Sequence, residues 1–91
     1  MTQATGEEIL LNATAMQPPE PLQQAISILQ QLRFGQYLRM LHRHLPYPLF
    51  ESCQQLEISY RHFTGQQSEY IILFWRSDDP STAKICEKIE Q

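Results

Sequence analysis

Pro18-Pro19-Glu20-Pro21, continued by Leu22, Ala25, Ile26, Leu29 and Leu32, is the stretch on which the fold of this chain turns. Pro21 suits the first turn of a helix, because the N–H it lacks would be unpaired there anyway. Glu20 puts negative charge near the positive helix end. The five apolar residues recur at helical spacing and make one stripe, with Gln23, Gln24, Gln30 and Gln31 off it. Arg33 falls in the last turn, and Gly35 sits where a left-handed cap is wanted. The spacing predicts a helix over Glu20 to Phe34. Just before it, Ile9-Leu10-Leu11 predicts a short strand over Glu8 to Ala13. Small α/β domains often place chemistry at such a strand-to-helix passage, where backbone N–H groups and the helix dipole face out. Here the opening holds no Cys, Ser, Thr, His or Lys, so it has no nucleophile and no base.

Downstream, Gln36 to His42 reads as a second strand, with Leu38 and Met40 on one face and Tyr37, Arg39 and Leu41 on the other. Pro46 and Pro48 break that pattern. A second helix is expected from about Pro48 to Gln55, with Leu49, Phe50, Cys53 and Leu56 at helical spacing. Glu57 to Phe63 and Glu69 to Arg76 read as strands joined by the hairpin Thr64-Gly65-Gln66-Gln67-Ser68. Tyr70 to Trp75 is apolar on both faces, which suits an interior strand covered on both sides. Ser77-Asp78-Asp79-Pro80 ends it, and Ser81 to Glu90 has Ile85, Cys86 and Ile89 on one side of a short helix.

The order is β-α-β-α-β-β, and the pattern admits a further helix at the C-terminus. The expected class is α+β: a two-layer α/β sandwich with a mixed four-stranded sheet and both main helices on one face. The opposite face needs a cover, either the C-terminal helix or a second subunit. By this reading residues 1–6 are a flexible tail, 7–77 the domain, and 78–91 a C-terminal tail with helical character.

The chain has 91 residues, enough for one domain. A hydrophobic content of 42% fits an ordinary core. A formal charge of −3 gives no general drive toward nucleic acid or anionic membranes. The first eight residues have no signal-peptide pattern, and no stretch approaches the ~20 apolar residues of a membrane helix. The expected location is cytoplasmic. Cys53 and Cys86 have no metal spacing and read as free thiols in a reducing compartment.

This order, with a proline-rich helix opening, resembles the TusA/SirA-like family of small sulfur-carrier proteins. The family carries Cys-Pro-x-Pro after the first strand, and its cysteine holds a persulfide at the helix start. Here Pro19-Glu20-Pro21 matches Pro-x-Pro, and Pro18 stands where the cysteine would be, so the persulfide role does not carry over. The chain is more similar still to the uncharacterised branch known as domain of unknown function 2249. That branch shares the Pro-Pro-Glu-Pro opening and tends to have His-Asp-His-Asp-Pro-x-Pro-Leu after the second strand. Here the segment reads His42-Arg43-His44-Leu45-Pro46-Tyr47-Pro48-Leu49, with both acidic positions replaced. Trp75-Arg76 matches the branch's aromatic-plus-Arg strand end. The resemblance spans about Glu8 to Arg76 and implies no assigned activity. The same fold class includes an RNA-binding domain of a translation initiation factor. The low basic content and the lack of a basic-aromatic motif argue against RNA here.

Arg39, His42, Arg43, His44, Arg61 and His62 would form a positive patch if strands two and three bring them together. Such a patch would take a small anionic ligand, helped by the first helix start. The plainer reading is scattered cations paired with acids such as Glu57 and Glu69. His42 and His44, two apart, would share a metal only with further ligands such as His62 and Glu51; no cofactor is expected. Tyr37, Tyr60, Tyr70 and Trp75 read as packing residues. The leading expectation is a non-catalytic binding or protein-interaction module. Its contact surface would be Pro18, Pro19 and Glu20 with Arg39, His42, Arg43, His44 and Arg61. The alternatives are a sulfur-transfer or redox carrier using Cys53 or Cys86, and a module that self-associates through the open sheet face.

Overall fold

Alternating apolar residues on the two middle strands build a sheet with a core on each side. The structure is a computed structural model that describes residues 6–66 and 68–89. Its elements are β1 (Glu7–Asn12), α1 (Glu20–Gln30), β2 (Gln36–His42), α2 (Tyr47–Leu56), β3 (Ile58–Phe63), β4 (Tyr70–Arg76) and α3 (Pro80–Lys88). The four strands form one sheet in the order β1-β2-β4-β3. β1 runs parallel to β2, and β4 is antiparallel to both β2 and β3. The class is α+β with a mixed four-stranded sheet, as the sequence pattern predicts.

β2 and β4 are the interior strands, and both are buried on both faces. Leu38, Met40, Ile72 and Phe74 point to the side where α1 and α2 pack, meeting Ala25, Leu29, Leu49 and Cys53. Tyr37, Leu41, Ile71, Leu73 and Trp75 point the other way and meet Cys86 of α3. The side-chain period of two therefore feeds two cores from one pair of strands. The second face is covered by α3, so the core continues through Asp79, Thr82 and Cys86, past Ser77. Gly6 belongs to this cover: it has φ +71°, and a Cβ there would sit 3.1 Å from Ile85 Cδ1.

α1 stops at Gln30 rather than Phe34. The last turn tightens, with N–H groups of Gln31 and Leu32 donating three residues back, to Ile28 and Leu29. The N–H of Arg33 then donates to the side chain of Gln36 at 2.9 Å, and Gly35 turns the chain at φ +86°. Gly35 therefore shapes the entry to β2 instead of capping the helix. β1 starts at Glu7, β3 at Ile58, and α2 covers Tyr47–Leu56. Of the expected tail over residues 1–6, Gly6 packs against Ile85 and residues 1–5 lie outside the described residues, as do Gln67 of the hairpin and the expected helix end at Glu90.

Candidate functional site

Because β1, β2 and β3 point the same way, their C-terminal ends lie at one end of the sheet. The connections 13–19 and 43–46 lie there, as do the described hairpin residues 64–66 and 68–69. Hydrogen bonds tie them to β2. Ala13 N–H donates to the Leu41 carbonyl at 2.8 Å, and the Ser68 hydroxyl donates to the His42 carbonyl at 2.8 Å. Pro18, Pro19 and Glu20 are exposed at this end, as are Arg43 and His44.

Both helices that start here do so with prolines, and this decides their capacity for anions. At α1, Pro21 has no N–H, Glu20 N–H donates to the Gln17 carbonyl at 2.9 Å, and Gln23 N–H to the Pro19 carbonyl at 3.1 Å. The Glu20 carboxylate adds negative charge and accepts from Gln24 at 2.8 Å. At α2, Pro48 has no N–H. The N–H groups of Tyr47, Leu49 and Phe50 donate to the carbonyls of Leu45 and Pro46 at 3.0 to 3.1 Å. Little donor capacity is left at either start for a phosphate-like ligand.

The three arginines and three histidines do not form one patch. Arg39 and Arg61 sit on the α3 face, each opposite Leu73 in the sheet register. Arg39 is buried and pairs with Glu8, Nε to Oε1 at 2.8 Å. Glu8 also accepts from the Tyr37 hydroxyl at 2.9 Å. Burial first, and then that bond, raise the Tyr37 pKa above its usual value. Arg61 donates to the carbonyls of Cys86 and Ile89 and so caps the end of α3. His42 and His62 fall on the opposite face by strand alternation. Strand periodicity, applied to both strands at once, separates the four.

His42 accepts the N–H of His44 on Nδ1 at 3.1 Å, and the two rings meet edge to face at 6.1 Å. Burial, the His44 imidazole and Arg43 lower the His42 pKa from 6.5. His62 instead stacks on Phe50 at 6.0 Å. Among the described residues, no group of three or more His, Cys, Asp or Glu side chains is placed to hold a metal ion.

What does gather beside these loops is aromatic. Phe50 and Tyr60 stack with centroids 4.2 Å apart and planes 2° from parallel, and Tyr47 meets Phe50 edge-on at 6.0 Å. Leu45, Tyr47, Phe50, Glu51, Tyr60 and His62 line an open groove of about 460 Å³. A second hollow of about 330 Å³ shares Leu45 and Tyr47 and adds Arg43, His44, Glu69 and Tyr70. Tyr47 is 65% exposed and Tyr60 40%, whereas Tyr37 and Trp75 are buried. The packing expectation thus holds for Tyr37 and Trp75, and for Tyr70, which packs against the first core; the Tyr60 ring packs on Phe50 and Phe74 while staying exposed on its outer side. The readable signal was Tyr47 and Phe50 three apart on the first turn of α2, with Tyr60 and His62 on one face of β3.

Cys53 and Cys86 are free and buried, at 1% and 0% exposure. Burial pushes the Cys53 thiol up to about 11 and the Cys86 thiol up to about 12. No helix among the described residues is long and apolar enough to cross a membrane. No protein-family model, curated protein or solved structure matches this chain.

Proposed function

We propose that this chain is a non-catalytic protein-interaction module on a TusA/SirA-like scaffold, of the kind found in the domain of unknown function 2249 branch. Its contact surface is the ledge of Leu45, Tyr47, Phe50 and Tyr60, flanked by Arg43, His44 and His62. The observation that carries this reading is Tyr47, exposed by 65% while its ring leans on the Phe50–Tyr60 stack. Rigid, half-exposed aromatic rings with polar tips are the residues that anchor protein interfaces. The proline-filled helix starts weigh against a small anion as the main ligand. The buried thiols, both with raised pKa values, weigh against a sulfur carrier, since the thiolate is the reactive form. They fit a module kept reduced in the cytoplasm.

Photo-crosslinking tests the reading. A photoreactive residue at position 47 should join this chain to a discrete partner in its native cells. The same residue at Ser27, exposed on α1, should not. Equal labelling at both positions, or none at 47, would overturn the proposal.

A further inference from the structure

β3 is an edge strand, and its outward groups follow from one hydrogen bond. Ser77 N–H donates to the Glu57 carbonyl at 3.0 Å, just before the β3–β4 ladder. In an antiparallel pair, residues that exchange hydrogen bonds alternate with residues that do not. Ser59, Arg61 and Phe63 therefore turn their N–H and C=O groups toward β4. Ile58, Tyr60 and His62 turn theirs away from the sheet.

Edge strands are normally blunted by proline, a bulge or an outward charge. β3 pairs with β4 without interruption from Ile58 to Phe63 and has no proline. Its one arginine leaves the outward backbone groups uncovered, because Arg61 is drawn over the α3 face to the carbonyls of Cys86 and Ile89; its charge acts only where a second arginine is set opposite it.

We propose that a second copy of this chain pairs with this edge, β3 against β3, antiparallel about a two-fold axis at Tyr60. A ladder closes only where outward-turned residues face each other, which leaves two long registers. One sets Tyr60 against Tyr60, Ile58 against His62, and Arg61 against Ser59. The other sets Arg61 directly against Arg61, and like charges opposite each other destabilise a sheet. Charge thus selects the Tyr60 register. In it, the two Tyr60 rings become cross-strand neighbours, each already stacked on its own Phe50 at 4.2 Å. One self-complementary contact satisfies both open edges at once, as a two-fold interface requires. It joins two four-stranded sheets into one. The inference shares Tyr60 with the interaction ledge but stands separately from it.

Sedimentation equilibrium on the full chain from micromolar to millimolar concentration should show the mass doubling. Tyr60→Lys should abolish the doubling, and Leu10→Lys, on the opposite edge strand, should leave it intact. Amide exchange of the wild-type chain gives a readout that needs no variant. Ile58, Tyr60 and His62 amides should slow as concentration rises, while those of Ser59, Arg61 and Phe63 are slow throughout. A monomer mass at every concentration would overturn the proposal. So would a doubled mass that leaves the three outward amides fast, or one lost in Leu10→Lys and kept in Tyr60→Lys. A different protein captured at position 47 by a chain that stays monomeric would sink this inference and leave the interaction reading standing.

Discussion

The carboxylate of Asp79 accepts the main-chain N–H of Gly35 at 2.8 Å, across 44 residues of sequence. The same side chain accepts from the Thr82 N–H at 3.2 Å and from the Thr82 hydroxyl at 2.7 Å. One buried group therefore caps α3 and pins the turn between α1 and β2. Burial alone would raise its pKa. The bonds from Gly35 and Thr82 outweigh that and hold it below the usual 3.8. This contact fastens the cover of the second face to the turn that leads from α1 into β2.

Asp79→Ala should cost about 2–3 kcal/mol, from a lost helix cap plus buried donors left unpaired. Asp79→Asn keeps an acceptor and should cost about 1 kcal/mol. Urea unfolding at neutral pH measures both. A loss under about 0.5 kcal/mol for Asp79→Ala would remove Asp79 from its role as anchor.

Arg61→Ala should loosen the end of α3 at a cost of about 1–2 kcal/mol, since charge-assisted bonds to two carbonyls are lost. The sharper readout is Cys86, which is fully buried on the inner side of that helix. Its labelling by a thiol reagent should accelerate in Arg61→Ala, with Cys53 as the internal control. Unchanged Cys86 labelling would show that α3 docks without the arginine.

The interior place of β4 was legible because Tyr70 to Trp75 is apolar on both faces, which suits a strand covered on both sides. Helix α1 was legible from its stripe, yet its end was not. The Gln36 side chain and the distant Asp79 carboxylate decide where the chain turns, and no local pattern encodes them. The expected cation cluster failed for a related reason. Arg39 and Arg61 found partners in Glu8 and α3 on one face, while alternation sent His42 and His62 to the other. The aromatic ledge needs β3 packed beside α2 before Tyr60 meets Phe50. That is tertiary information carried only faintly by spacing.

Glu57 closes α2 in the left-handed region, at φ 59° and ψ 46°. Its N–H caps the helix by donating to the Gln54 carbonyl at 3.3 Å. A side chain in that region costs about 1–2 kcal/mol, partly offset by the extra entropy glycine loses on folding. Glu57→Gly should therefore stabilise the domain by about 0.5–1 kcal/mol. Thermal unfolding checks this, and a lower midpoint would mean that the carboxylate contributes more than its backbone strain.

His42 must be unprotonated at Nδ1 to accept the His44 N–H at 3.1 Å. Burial, then His44 and Arg43, place its folded pKa below 6.5. Between those two values the unfolded chain binds the extra proton, so stability falls with falling pH and this contribution is lost below the folded value. Asp79 adds a second loss with the same sign, beginning near its unfolded 3.8 and continuing down through its folded pKa. Acid unfolding should therefore show two limbs. His42→Asn keeps an acceptor without a titrating group, and it should flatten the upper limb and leave the lower one. Nuclear magnetic resonance supplies the site-specific check: the His44 amide should shift with the same midpoint as the His42 ring. A ring midpoint at or above 6.5, or a His44 amide that ignores the titration, would remove His42 from the acid response and place the upper limb elsewhere.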